Sequence, residues 1–145
     1  MKILIVEDSS TMRRIIKNTI NIMGYTDILE AEDGAEAIDI LDINPDINLV
    51  ITDRKMPNMD GVELVRSIRI SDKYSSVPIV MITSEGGKIE VINALKAGVT
   101  SYIIKQLTPQ VLKDKLEPIF ESIEMPSIEG LDELNEYIAS LKASL

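Results

Sequence analysis

Five polar residues stand where apolar segments of the chain end, and their types suit the chemistry of a phosphoryl group. They are three acids, a threonine and a lysine: Glu7, Asp8, Asp53, Thr83 and Lys105. Clustered carboxylates repel one another, and a divalent cation relieves that repulsion. A lysine offers positive charge to phosphoryl oxygens, a threonine hydroxyl offers a hydrogen-bond donor, and an aspartate can be the nucleophile that forms an aspartyl phosphate. The set therefore favours an oxygen-ligated metal next to a phosphoacceptor.

The amino-acid composition limits which metals the protein could bind and which classes of partner it could have. The 145 residues contain no cysteine and no histidine, which excludes disulfides, thiolate or ordinary zinc sites, and serine–histidine catalysis. A metal bound here must be a hard cation held by oxygen, and a few carboxylates with a backbone carbonyl and waters suit Mg²⁺. The net charge of -9 disfavours nucleic acid and membrane surfaces as direct partners. Because we find no signal peptide and no apolar run of membrane-spanning length, we expect a cytoplasmic location.

Alternating apolar patterns predict the elements that position these residues. Short runs rich in β-branched residues predict buried parallel strands at 2–6, 28–31, 49–52, 78–83 and 101–104. Amphipathic patterns predict helices at 11–23, 35–43, 61–70, 88–97 and 108–122. The alternation indicates a doubly wound α/β fold. The flavodoxin-like order 2-1-3-4-5 is one of the common arrangements of such a sheet, and it would bring the three carboxylates into one cleft at the switch point.

The chain resembles the receiver domains of response regulators. The segments that carry the resemblance occur in the family's order at 5–10, 52–57, 60–61, 81–84, 96–98 and 102–105. Each segment alone is weak, but together they are specific, and they cover about residues 1–122. Segments 7–14 and 85–88 are more similar to the chemotaxis branch of the family than to transcription regulators. The resemblance implies a flavodoxin-like fold with the predicted strand order.

The resemblance also implies which residues accept the phosphoryl group and bind the metal. Asp53 would be the phosphoacceptor. The carboxylates of Asp8 and Asp53, with the carbonyl oxygen of Lys55, would bind Mg²⁺, and Glu7 would assist through water. The residue types alone also allow a plainer interpretation, in which Glu7 and Asp8 cap the first helix and Asp53 is a turn residue.

Three further residues acquire roles by the same resemblance. Lys105 would bridge Asp53 and the phosphate, and Thr83 would hydrogen-bond the phosphoryl group and change rotamer. Tyr102 would report that change by turning inward. The residue types alone also allow plainer interpretations, in which Thr83 is an ordinary strand-end or capping residue and Tyr102 is a tyrosine packed on an edge strand.

Two positions depart from the family's pattern. Gln106 follows Lys105 where the family has a proline joined through a cis bond, and because a cis bond to a non-proline residue costs about 3–4 kcal/mol we expect a trans bond here. Lys55 stands where many chemotaxis regulators carry a neutral amide. We expect it to pair with Glu85 at the mouth of the cleft, to crowd the attacking water and to slow the loss of the phosphoryl group.

The last residues, 123–145, form a separate segment in the sequence. A helix-stopping stretch at 124–127 is followed, after Gly130, by leucines and isoleucine at helical spacing: Leu131, Leu134, Ile138, Leu141 and Leu145. This pattern predicts an acidic amphipathic helix, which is too short to be stable alone and should dock on something. It could pack on its own domain or on a twin, or it could cover the output face formed by helix 4, strand 5 and helix 5.

The function we predict is a single-domain phosphorylation switch. A histidine kinase would supply the phosphoryl group, and the phosphorylated protein would bind an effector such as a flagellar motor switch component, as a monomer or weak dimer. An alternative keeps the chemistry but makes the protein a phosphate sink or phosphorelay carrier. A third, an aspartate-nucleophile phosphatase, needs Asp-x-Asp after strand 1, where this chain has Glu7-Asp8. We therefore expect a signalling domain whose chemistry is limited to its own phosphorylation and dephosphorylation.

Overall fold

Strands and helices alternate along the chain in the structure, a computed structural model that describes residues 1–124 and 128–144, with side chains for 1–124 and 136–144. The strands are β1 (Ile3–Val6), β2 (Ile28–Ala31), β3 (Leu49–Thr52), β4 (Ile79–Thr83) and β5 (Ser101–Ile104). The helices are α1 (Ser10–Ile22), α2 (Gly34–Ile43), α3 (Gly61–Arg69), α4 (Lys88–Ala97), α5 (Pro109–Glu124) and α6 (Ile128–Ala143). These bounds agree with the predicted ones to within two residues, except at the start of α6.

The strands form one parallel sheet in the order β2-β1-β3-β4-β5, which confirms the predicted topology. Val6 at the end of β1 pairs with Thr52 at the end of β3, and Thr83 at the end of β4 pairs with Ile104 at the end of β5. Because these strand ends are aligned, Glu7, Asp53 and Lys105 all emerge at the same edge of the sheet.

Two apolar clusters, one on each face of the sheet, form the core. One packs α2, α3 and α4 against one face, with Leu64 and Met81 among its fully buried members. The other packs α1 and α5 against the opposite face, with Ile20 and Phe120 at its centre. The strands β1, β3 and β4 are buried throughout, as parallel strands covered on both sides must be.

No helix within the described residues combines the length and the apolar character that a membrane crossing needs.

The helix ends correct two expectations. Ser9 caps α1 by accepting a hydrogen bond from the amide of Met12, so neither Glu7 nor Asp8 is the capping residue. Helix α6 begins at Ile128, before Gly130, because a single glycine lowers helix stability without preventing a helix. The expectation for Leu131, Leu134 and Leu145 side chains lies outside the described residues.

Candidate functional site

Three acidic side chains converge at the carboxyl ends of β1 and β3. Glu7, Asp8 and Asp53 each offer a carboxylate oxygen, and these oxygens lie within 4.8 Å of one another. Glu7 is only 1% exposed and Asp53 is 9% exposed, whereas Asp8 faces solvent. The sheet topology thus brings together the acids that the sequence analysis singled out.

Lys105 reaches into this cluster from the end of β5. Its ammonium nitrogen lies 2.7 Å from Oδ2 of Asp53 and 2.9 Å from Oε1 of Glu7. The bond to Gln106 is trans as expected, since no peptide bond among the described residues is cis. Gln106 has a φ of 77°, a left-handed conformation that a proline could not adopt. The chain therefore turns after Lys105 by a different route from a cis proline, and Lys105 still contacts Asp53.

Burial and hydrogen bonds divide the protons unequally between the two buried acids. Burial, and after it a hydrogen bond with Asp53, raise the pKa of Glu7, while Lys105 lowers it, and together these effects bring the pKa to about 7. Burial alone would raise the pKa of Asp53 as well, but hydrogen bonds with Glu7 and Lys105 outweigh it, so this pKa lies below its usual value. Asp53 is consequently ionised at neutral pH, which is the form a nucleophile needs.

Lys105 remains charged in this setting. Burial lowers its pKa, but the hydrogen bonds to Asp53 and Glu7 more than compensate, and the pKa lies above its ordinary value. A cation therefore sits between two carboxyl groups, and it reduces the repulsion between them.

The donor set fits a hard divalent cation. When Glu7 is ionised, its Oε2 atom is buried without a hydrogen-bond donor in the described structure, and such an atom is costly unless a shared proton, a water or a cation satisfies it. The cluster offers oxygen ligands only, from Glu7, Asp8 and Asp53. Oxygen ligands of this kind are those that Mg²⁺ prefers.

Both residues for which a switching role was predicted contact Glu85. Thr83 is 1% exposed, and its hydroxyl accepts a hydrogen bond of 3.3 Å from the amide of Glu85. Tyr102, on the edge strand β5, is partly buried and donates its hydroxyl proton to the carbonyl oxygen of Glu85. The segment between β4 and α4 is therefore held by both side chains.

Two basic residues follow the phosphoacceptor candidate, and both reach Glu85. Lys55 lies 2.7 Å from Oε1 of Glu85, which confirms the predicted ion pair, and its side chain is 77% exposed. Arg54 lies 3.2 Å from Oε2 of the same carboxylate and also donates to the carbonyl of Glu90 at 2.5 Å. A role for Arg54 was not predicted from the sequence. The only available signal was its position directly after Asp53 with acidic residues beyond β4.

A close backbone approach fixes the loop that carries these residues. A Cβ atom on Gly61 would lie 2.1 Å from the carbonyl oxygen of Asp53, so only glycine fits at the start of α3. The amide of Gly61 donates to the carbonyl of Arg54 at 2.7 Å. On the other side of the loop, Asn58 has a φ of 66° and donates its side-chain amide to Asp33, the capping residue of α2. The loop is thus tied to both α2 and α3.

Comparisons with known proteins agree with this geometry. The response regulator receiver domain family matches residues 3–117. A chemotaxis protein CheY homolog of Campylobacter jejuni is 60% identical over 119 residues, or 82% of this chain and 92% of that protein. The chemotaxis protein CheY1 of Helicobacter pylori is 59% identical over 82% of this chain and 96% of its own length. The structure of the chemotaxis response regulator CheY4 of Vibrio cholerae superposes with a TM-score of 0.75 at 30% identity, over 81% of this chain and 97% of that one.

The family match spans the whole sheet and every residue of the acidic cluster. The Campylobacter jejuni and Helicobacter pylori relatives are chemotaxis proteins, and the match covers 92% and 96% of their lengths. The chain therefore belongs to the response regulator receiver domain family and is similar to its CheY-type chemotaxis members.

Proposed function

We propose that the protein is a phosphorylation switch that accepts a phosphoryl group on Asp53 from a histidine kinase and signals in chemotaxis by binding an effector protein. The observation that carries the proposal is the contact of the Lys105 ammonium with Asp53, beside the acidic cluster. An ionised, buried aspartate with a cation already in contact can serve as an acceptor for an anionic group. The expected cytoplasmic location is part of this proposal.

The residues of the site divide the chemistry among them. An oxygen of Asp53 forms a bond to phosphorus as the bond from phosphorus to the donor's histidine nitrogen breaks, and the electron pair of that bond leaves with the nitrogen. Lys105 neutralises charge on the transferred group, and Thr83 donates its hydroxyl proton to a phosphoryl oxygen. Asp8, Asp53 and the carbonyl of Lys55 would hold Mg²⁺, with Glu7 alongside. The ion supplies positive charge that offsets repulsion between the carboxylates and the phosphoryl oxygens.

An exposed apolar surface supports a protein as the partner. Large apolar side chains on α4, β5 and α5 remain exposed in the described structure: Ile89, Ile92, Leu95, Ile104 and Val111. Large exposed apolar patches are typical of protein-binding sites, and we propose that these side chains form one. We propose that a flagellar motor switch component binds this surface, and that the switch acts as a monomer or weak dimer.

One observation favours the second candidate, a phosphate sink or phosphorelay carrier. The ion pair between Lys55 and Glu85 lies beside the phosphoacceptor, where it would obstruct an attacking water. A long-lived phosphoryl group suits a carrier better than a rapidly reset switch. Affinity for a motor switch peptide separates the two: a switch binds it more tightly after phosphorylation, whereas a carrier binds it in neither state.

The first experiment measures intact mass after incubation with Mg²⁺ and acetyl phosphate. We expect one added phosphoryl group on the wild type, none on Asp53→Asn, and none on the wild type when EDTA removes the metal. Asp39→Asn is the matched control, because that aspartate is on α2 and lies outside the acidic cluster. Phosphorylation of Asp53→Asn to the same extent, or no adduct on the wild type, would reject the proposed acceptor.

A further inference from the structure

Helix α4 has few attachments of its own. Ala94 is its only buried residue among ten, and Gly87 at its N-cap offers no side-chain hydrogen bond. Two of its apolar side chains face solvent, with Ile89 70% and Leu95 50% exposed. A helix with so little buried surface and no side-chain cap at its N-terminus depends on specific contacts for its position.

Arg54 supplies such a contact from outside the helix. Its guanidinium donates to the carbonyl of Glu90 in the first turn of α4 at 2.5 Å, and its Nε lies 3.2 Å from the carboxylate of Glu85 in the preceding loop. The side chain of Arg54 is only 14% exposed, so both contacts are shielded from water. The planar guanidinium has several N–H donors, so one arginine can bind the carboxylate of Glu85 in the loop and the carbonyl of Glu90 in the helix at the same time.

The other end of Arg54 touches the phosphoacceptor. Its backbone amide donates to Oδ1 of Asp53 at 2.6 Å. Arg54 therefore contacts both the site of phosphorylation and the start of α4. The carboxylate of Glu85 also binds Lys55, and the backbone of Glu85 is hydrogen-bonded to Thr83 and Tyr102. The loop therefore contacts both residues for which a switching role was predicted.

From these contacts we infer that Arg54 is a positioning residue that ties α4 to the phosphoacceptor site, and that phosphorylation of Asp53 loosens this tie. The second clause rests on the proposed function, whereas the first does not. A phosphoryl group on Asp53 adds negative charge to the site, and it competes with the carboxylate of Glu85 for the ammonium group of Lys55. As Glu85 is displaced, Arg54 no longer holds the loop and the first turn of α4 together, although its contact with Glu90 remains.

Amide hydrogen exchange in residues 84–93 tests the tie without any phosphorylation. Arg54→Gln removes the positive charge and the guanidinium donors but keeps the backbone amide that contacts Asp53. We expect exchange in this segment about tenfold faster than in the wild type, since a shielded hydrogen bond to a charged group is lost. Arg66→Gln is the matched control: the side chain of this α3 arginine is exposed and has no hydrogen bond or ion pair in the described structure, so its loss should leave exchange unchanged.

The same measurement with acetyl phosphate and Mg²⁺ tests the coupling. In the wild type we expect phosphorylation to speed exchange in residues 84–93. In Arg54→Gln, where the tie is already absent, that difference should largely disappear. A merely structural contact would speed exchange in both states and leave the difference intact. Arg54→Lys keeps the charge without the guanidinium donors and should fall between the two, and Glu85→Gln should show a smaller effect because the contact with Glu90 remains.

The outcomes separate this inference from the proposed function. Unchanged exchange in unphosphorylated Arg54→Gln would overturn the tie, whatever the mass spectrum shows. A phosphorylation-dependent difference of the same size in wild type and Arg54→Gln would overturn the coupling. If the wild type takes up no phosphoryl group, the proposed function and the coupling both fail, while faster exchange in Arg54→Gln would still support the tie.

Discussion

Helices α3 and α4 are consecutive in the chain and similar in length, but the structure holds them very differently. Helix α3 has nine residues, of which five are buried, and Asp60 caps it by accepting from the amide of Glu63. Helix α4 has ten residues, of which only Ala94 is buried, and Gly87 gives it no side-chain cap. The two helices therefore differ in how much of their surface packs against the rest of the domain.

This contrast indicates that the β3–α3 side of the site and the β4–α4 side have different roles. The loop that carries Asp53 runs directly into α3, so the phosphoacceptor is attached to the helix that is more buried and has a side-chain cap. The loop after Thr83 runs into α4, which a small change in free energy could displace. A receiver of signals needs both, because the chemistry requires fixed geometry and the output requires a movable surface.

The largest expected difference is in stability after removing one leucine from each helix. Leu64 on α3 is fully buried, and Leu64→Ala should lower the free energy of unfolding by about 3 kcal/mol through lost burial and a residual cavity. Leu95 on α4 is 50% exposed, and Leu95→Ala should cost less than about 1 kcal/mol. Urea denaturation monitored by circular dichroism measures both values. Equal losses for the two variants would remove the contrast between the helices.

The next effect concerns the close approach at the start of α3. Gly61→Ala would place a Cβ atom 2.1 Å from the carbonyl oxygen of Asp53, and we expect a loss of about 2 kcal/mol with slower phosphorylation. Gly86→Ala is the control on the α4 side, where the nearest atom is the flexible end of Ile104 at 3.0 Å. That variant should change stability by no more than about 0.5 kcal/mol. A Gly61→Ala protein with wild-type stability and phosphorylation rate would contradict the proposed rigidity of this loop.

A smaller effect is expected on the lifetime of the phosphoryl group. Lys55→Asn removes the ion pair with Glu85 that spans the two sides of the site, and the attacking water should reach Asp53 more easily. Loss of phosphate from the phosphorylated protein should become several-fold faster, as measured by intact mass over time. Lys88→Asn, at the exposed start of α4, serves as the control. If Lys55→Asn does not speed hydrolysis, the ion pair does not protect the phosphoryl group.

The smallest expected effect belongs to α6. Ile138 and Leu141 are 40% and 49% exposed, so α6 keeps apolar surface that could compete for the output face. We expect deletion of residues 125–145 to raise affinity for an effector peptide modestly. Ile138→Lys combined with Leu141→Lys should reproduce the gain at full length, whereas Lys142→Gln should not. If effector affinity and sedimentation behaviour both stay the same after deletion, α6 neither competes for the output face nor mediates self-association.

Sequence reasoning succeeded wherever the signal was local. The apolar run that predicted β3 has the bounds that the structure shows, because buried parallel strands need continuous apolar residues. Asp53 and Lys105 were recognisable because polar residues interrupt such runs only at their ends. Capping was predicted less well: Ser9 caps α1, and the choice between it and its acidic neighbours depends on backbone direction that no residue type specifies.

The amino-acid sequence by itself determined the elements of this protein, the oxygen-only character of any metal site and the residues available for the chemistry, because these follow from composition and from spacing within single elements. Only the tertiary structure decided that Lys105 still reaches Asp53 after a left-handed Gln106, and that Arg54 reaches from the phosphoacceptor to Glu90. These contacts join residues from different elements, 52 and 36 positions apart. Their geometry depends on how whole elements pack, and that packing leaves no local pattern in the sequence.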